Sequence, residues 1–378
     1  MPRHRQAALL FAALMSGQAT ALAQECPAPG QWQHDGQPIA GDTLMRELAT
    51  GRVVLLGEQH ERLAHHRWQL HTLAALHGHQ PNLAIGLEML PREAQPALDD
   101  WVAGELDEAT FLESSGWYDA WGYDPELYLP ILHFARMHRI PLVALNITPE
   151  LRQRLVTEGW EAVPATERHG LTAPAPAAPE YRTLLTEIYA AHPGDTAAPG
   201  GLERFIDAQL VWDRAMAEGL AQAAESAPLV VGLMGEGHVR HGHGVPHQLA
   251  TLGVTETHTA LAWPRERGCP APTEIADALF GLGDEARHEP AAPPRLGVLL
   301  APDEAGVRID RIAPESVAAG SGLREGDVIV IAAGHRVNAM EELIAIIRRQ
   351  APGTLLPLEV VRDGEVRELL ARFPSEAP

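Results

Sequence analysis

The sequence predicts an α/β fold, a mostly parallel sheet with helices on both faces, followed by a small α+β domain. Three observations carry this. The runs Val53-Val54-Leu55-Leu56, Leu83-Ala84-Ile85-Gly86-Leu87, Leu142-Val143-Ala144-Leu145 and Leu229-Val230-Val231-Gly232-Leu233-Met234 are continuously apolar, as strands buried on both faces must be. Residues 65–77 and 126–138 lie between them with apolar side chains at helical spacing, which completes a βαβ pattern. From Arg295 onward the pattern changes to short alternating strands. A polar, Pro-rich stretch at 284–294 separates the two regions as a linker, and a Pro/Ala stretch at 173–179 joins helices inside the first, as a candidate lid or interface. The expected boundaries are 1–23 for a signal peptide, 24–270 for the first domain, 271–294 for the linker and 295–374 for the second domain.

The first residues read as an export signal. Arg3 and Arg5 precede an apolar run at 7–15, and Ala21-Leu22-Ala23 offers a small-x-small cleavage site. The run is too short to span a bilayer, and no later stretch approaches about 18 uninterrupted apolar residues. Acylation of Cys26 is not expected, because Gln24 and Glu25 stand before it in place of small residues. The protein is therefore expected to be exported and periplasmic, with any membrane association coming through a partner. The chain carries a formal charge of −21, and loss of residues 1–23 takes away two Arg and no acid, leaving −23. Spread along the chain, that charge reads as a solvated acidic surface and excludes nucleic acid as a partner. An oxidising compartment favours pairing of the two cysteines, Cys26 and Cys269, across the first domain; the alternative is two free thiols.

Ligands of parallel sheets gather outside the carboxyl ends of the strands. The first run ends in Gly57-Glu58-Gln59-His60, the second in Glu88, the third in Asn146 and the last in Gly235-Glu236-Gly237-His238. Glycine before each Glu-x-His is expected to let the backbone turn sharply, so that carboxylate and imidazole enter one crevice. His60, His238, Glu58 and Glu88 are thus candidates for hydrolytic general acid–base work, and His60, His238 and Glu88 for holding a divalent metal ion. An inert polar floor is the third reading. One or two of His65, His66 and His71 are expected to point back toward this cleft.

Trp117 to Tyr128 is a dense aromatic cluster in a chain that is only 5% aromatic. Flat rings suit a planar macrocycle, and a tyrosinate is a hard anionic ligand for ferric iron. Tyr123 and Tyr128 are the candidate ligands, with Tyr118 behind them; a hydrophobic plug seating the next helix is the other reading. In His241-Gly242-His243-Gly244-Val245-Pro246 the glycines leave both imidazoles unshielded, which makes His241 and His243 candidates for the cleft mouth.

The ordered set Val53 to His60, His65-His66, Gln69, Gly86-Leu87-Glu88-Met89, Gln95, Leu98-Asp99, Trp117, Trp121-Gly122, Tyr128, Pro130-Ile131, Ala144-Leu145-Asn146 and Gly237-His238 to Gly244-Val245-Pro246 resembles the ChaN-like haem-binding family over roughly residues 45–265. The resemblance implies haem bound through tyrosine, a homodimer in which two subunits share it, and a link to bacterial iron uptake. The paired Gly-x-x-His turns with Glu88 also resemble the wider Tiki/TraB and erythromycin-esterase-like group. That resemblance implies a hydrolase of peptide or ester substrates as the alternative to a binding protein.

In the second domain, Leu296-Gly297-Val298, Ile312 to Ala319 and Gly322 to Ile329 are similar to PDZ domains over about residues 295–372. The resemblance implies that Leu296, Gly297 and Val298 present backbone N–H groups to a peptide's C-terminal carboxylate, and that the peptide adds as a strand beside the helix near 340–349. No convincing Ser/His/Asp set precedes this domain, which disfavours a trypsin-like protease.

Overall fold

A computed structural model describes residues 26–190, 201–269, 271–272, 274–283, 294–350 and 353–374. The expected signal peptide and nearly all of the 284–294 linker lie outside the described residues. In the first domain, β1 (Trp32–His34), β2 (Gln37–Ile39), β3 (Val53–Glu58), β4 (Leu83–Pro91), β5 (Leu142–Asn146), β6 (Leu229–Gly235), β7 (Thr257–Pro264) and β8 (Ala278–Leu282) form one sheet in the order β2-β1-β8-β7-β3-β6-β4-β5. The pairings from β8 to β5 are parallel, and the β1–β2 hairpin joins β8 antiparallel.

Period-two alternation within the strands builds two separate cores. Val54 and Leu56 of β3, with Leu229, Val231 and Leu233 of β6, face Trp68, Trp101, Trp117 and Tyr128. Val53, Leu55, Val230 and Met234 face the other side, against Met216 and Leu220 of the long helix Gly201–Ser226. Helices therefore cover both faces, as the continuous apolar runs predict. The helix-bearing segments also set the strand order: β6 inserts between β3 and β4, so the carboxyl ends of β3, β6 and β4 lie side by side.

One expectation is corrected here. Residues 271–294 are not linker throughout, because Ala278–Leu282 is β8, paired with both β7 and β1. Five residues beside a Pro-rich segment carry too little pattern to be told from a linker. The 173–179 stretch, a candidate lid or interface, is tied to helix Val245–Thr251. The amide of Gln248 bonds the N–H and carbonyl of Ala175, each at 2.9 Å. The Cys26–Cys269 disulfide is formed and ties the start of the first domain to its end.

The second domain contains β9 (Val298–Asp303), β10 (Gly306–Ile312), β11 (Val328–Ala332), β12 (His335–Arg336), β13 (Leu355–Arg362) and β14 (Glu365–Arg372), an antiparallel sheet in the order β14-β13-β11-β10-β9 with β12 on β11. Its core is separate, built on Leu296, Ile309, Ile329, Leu343 and Leu358. Arg362 grips the buried Asp327 carboxylate with two nitrogens, at 2.6 and 2.7 Å. Helix Met340–Arg348 lies toward the aromatic cluster of the first domain. Arg349 pairs with Glu126 at 3.0 Å, and Ile344 and Arg348 share a small cavity with Tyr118 and Tyr123.

Candidate functional site

Glu58 is the last residue of β3 and is fully buried. His60 Nδ1 donates to it at 3.0 Å, the Tyr128 hydroxyl at 2.7 Å, and His66 Nδ1 lies 3.2 Å away. Burial alone raises a carboxyl pKa, but the donors outweigh it and hold Glu58 down at about 2. His66 also donates from Nε2 to the His60 carbonyl at 2.9 Å. Burial lowers the His66 pKa, and the bond and charge of Glu58 more than reverse this, so the net direction is up. His65 instead uses Nδ1 to accept the Gln59 N–H at 3.3 Å, and burial pushes its pKa down to about 4. Of the three helix histidines, His65 and His66 thus face back to the strand end; His71 is exposed.

A second buried chain starts at Glu88. Its Oε2 accepts the Gly235 N–H at 2.5 Å, and its Oε1 lies 3.4 Å from His238 Nε2. His238 Nδ1 bonds Asp213 at 2.6 Å, and Asp213 accepts the Tyr181 hydroxyl at 2.7 Å. Burial disfavours charge on His238, yet Glu88 and Asp213 raise its pKa to about 10. Asp213 and Tyr181 come from helices that the sequence reading did not connect with the site. The signal available was Asp213 itself, a carboxylate directly after the apolar Leu210, Val211 and Trp212 in helix Gly201–Ser226.

The glycines before the two turns serve a different purpose from the one expected. Neither Gly57 nor Gly235 has a positive φ. What they provide is the missing side chain. A Cβ on Gly57 would stand 3.0 Å from the Glu236 Cα, and one on Gly235 2.9 Å from the His60 ring. Glu88 also does not end its strand, since β4 continues to Pro91 past a register shift between Leu87 and Pro91.

Above these chains opens a cleft of about 210 Å³ lined by His60, Met89, Trp121, Tyr123, Asn146, Arg152 and Trp212, among others. His60 packs against Trp121 and Tyr123, with ring centroids 4.7 and 5.1 Å apart. Tyr123 is half-buried, and its pKa is raised by burial first and by Glu61, Glu88 and Glu58 after it.

Several candidates fall outside this cleft. Tyr128 is 1% exposed, bonds its hydroxyl to Glu58 and does not line the cleft, so it lies in the floor beneath it. Tyr118 lines the cavity against the second domain. His241 and His243 stack on each other at 5.6 Å, with His243 near Tyr181, and neither lines the cleft. Among the described residues no three His, Cys, Asp or Glu side chains are placed to hold a metal ion. Both ring nitrogens of His238 face carboxylates, which removes it from the set His60, His238 and Glu88.

In the second domain, a groove of about 680 Å³ runs between the free edge of β9 and helix Met340–Arg348, lined by Leu296, Gly297, Val298, Met340, Ile344 and Arg348 among others. Gly297 has φ +76°, and a Cβ there would collide with Ser316, so this loop requires glycine. Leu296 is 2% exposed and anchors the loop in the core, while Leu299 next to it is 57% exposed.

A buried acid–imidazole floor beneath an aromatic cleft at adjacent strand ends, joined to an open-edged β domain, defines a two-module ligand-binding protein. The first module matches the family described as "Haem-binding uptake, Tiki superfamily, ChaN" over residues 44–249, and the second the PDZ domain over 294–371. The chain belongs to the ChaN haem-binding family and carries a PDZ domain at its C-terminal side. Among solved structures, one reporting cofacial heme binding to ChaN of Campylobacter jejuni is similar at 17% identity. It covers 66% of this chain and 95% of that one, with a TM-score of 0.55. The HtrA3 PDZ domain bound to a phage-derived ligand matches at 22% identity over 21% of this chain and 82% of that chain, TM-score 0.19. The HtrA-type protease AlgW with decapeptide matches at 23% identity over 22% of this chain and 30% of that one, TM-score 0.21. No curated protein matches the chain.

Proposed function

We propose that this chain binds haem in the Tyr123 cleft as an exported, periplasmic protein of iron or haem handling, with its PDZ domain recruiting a partner's peptide tail. The observation that carries the reading is Tyr123, the phenol that lines an aromatic cleft in a chain of a haem-binding family. The residues present fit the cofactor: Trp121, Trp212, His60 and Met89 supply flat or polarizable apolar walls. Haem bound there supplies a ferric centre for a phenolate oxygen. Because burial and nearby carboxylates raise the Tyr123 pKa, the free site holds the phenol neutral and gives up its proton only against a cation. The cleft volume of about 210 Å³ is below the range of about 300–1,000 Å³ usual for an enclosed ligand. A macrocycle seated here keeps one face uncovered, which supports a homodimer sharing the cofactor. Export is supported by the signal-like first 23 residues and by the Cys26–Cys269 disulfide.

The hydrolase reading is supported less well. A general base must be unprotonated at working pH, and His238 is held protonated between Glu88 and Asp213. Haemin titration of the mature chain by absorption spectroscopy tests the proposal. A saturable Soret shift is expected, lost in Tyr123→Phe and retained in Tyr128→Phe. Absence of any shift in the wild type would reject it, and co-elution of apo and loaded protein as monomer would reject the shared-cofactor dimer.

A further inference from the structure

We propose that Arg152 and the indole N–H of Trp212 form an anion-binding corner of the cleft that takes a carboxylate carried by the planar ligand; this rests on the haem reading and specifies which end of the ligand enters. Arg152 lies in the first turns of helix Pro149–Thr157, directly after β5, and lines the cleft together with Ile147 and Pro149. Its guanidinium sits 4.4 Å from the Trp212 ring centroid, a stacking that fixes the fork without using its N–H donors. Among the described residues Arg152 pairs with no carboxylate. By contrast, Arg267 is spent on Glu236 and Arg214 on Glu218. Burial lowers the Arg152 pKa, with Glu88 as the opposing influence, so the cation is partly dehydrated where it stands.

The second observation is independent. Trp212 Nε1 is buried without a hydrogen-bond acceptor, although the indole N–H is a donor that burial normally satisfies. The cation and the indole that carries this orphan N–H therefore meet at one wall of one cleft. Their chemistry is complementary to a carboxylate, which accepts two N–H bonds from an arginine fork and can accept a third. The surroundings sharpen the selection. Glu58, Glu88 and Asp213 are already matched from below by His66 and His238, and the chain as a whole is strongly acidic. An anionic ligand is thus repelled elsewhere and accepted at Arg152. Haem carries two propionate carboxylates on one edge, so Arg152 would orient that edge and leave the iron to Tyr123.

The test compares haemin with haemin dimethyl ester, whose propionates carry no charge, on the full mature chain as wild type, Arg152→Gln, Arg152→Lys and Trp212→Phe. Wild type is expected to bind haemin about tenfold or more tighter than the ester, the loss usual for a hydrogen bond to a charged group. Arg152→Gln is expected to erase that preference, weakening haemin about tenfold or more while weakening the ester by much less. Arg152→Lys keeps the charge without the fork and is expected to restore part of it, and Trp212→Phe should lower it by less than Arg152→Gln. Equal losses for haemin and ester in Arg152→Gln, or none for either, overturn the proposal while the haem reading stands. If the wild type binds neither porphyrin, the haem reading fails, and the anionic fluorophore 1-anilinonaphthalene-8-sulfonate then decides. Saturable fluorescence lost in Arg152→Gln upholds the anion site, and identical curves in both proteins overturn it.

Discussion

Glu58 and His238 are buried charges whose pKa values move in opposite directions, and each ties stability to pH. Glu58 titrates at about 2 in the fold against an ordinary 4.5. Its stabilisation is fully present above the higher value and disappears as the pH falls through the lower. His238 titrates at about 10 against 6.5. Its contribution is fully present below 6.5 and is lost as the pH climbs through 10. Both contributions are complete only between about pH 4.5 and 6.5. Thermal melts across pH are expected to fall on either side of that window, and His238→Gln to flatten the alkaline slope. Asp213→Ala leaves the imidazolium of His238 with Glu88 alone and is expected to cost about 3–5 kcal/mol, as breaking buried pairs does; urea unfolding measures it. At this scale the sequence shows which residue types are present but not which way each points. Tyr123 and Tyr128 look equivalent in one aromatic run, yet one lines the cleft and the other is sealed under it by Glu58.

At the scale of the elements, the strands buried on both faces were legible because their apolar runs are continuous. Other strands were not: β7 opens with Thr257, His258 and Thr259, and β8 is five residues long. Both turns at the strand ends depend on absent side chains. Gly57→Ala places a methyl against Leu261 and the Glu236 backbone. It is expected to destabilise the first domain by about 1–3 kcal/mol through overpacking, read as a lower denaturation midpoint. Gly235→Ala displaces the His60 ring and is expected to weaken haemin binding more than it lowers stability. In the second domain, Gly297→Val forces a β-branched residue into positive φ against Ser316. Calorimetric titration with a peptide ending in a free carboxylate is expected to show binding to wild type and none to the variant. Amidation of the peptide terminus should abolish binding to the wild type.

Across the whole molecule, two long-range ties shape the result. The disulfide joins residues 243 positions apart, a loop for which chain-entropy arithmetic gives about 5 kcal/mol. Replacing both Cys26 and Cys269 by Ser is expected to lower the melting temperature of the first domain by ~10–20 °C at most. The PDZ transition, resting on its own core, should not move. The other tie is the packing of helix Met340–Arg348 beside the aromatic cluster, which puts one wall of the peptide groove next to the loop that carries Tyr123.

The sequence by itself determined the two-module plan, the parallel sheet, the strand end at Glu58, the turn that carries His238 after β6, and the glycine loop of the PDZ domain. These follow from local periodicity and motif, which a linear string preserves. Tertiary structure alone decided that Asp213 and Tyr181 reach His238, that Tyr128 is floor and Tyr123 wall, and that Arg152 stands over Trp212. Each of those depends on side chains far apart in the chain meeting at chosen distances. Only the strand order, with β6 inserted between β3 and β4, brings them together.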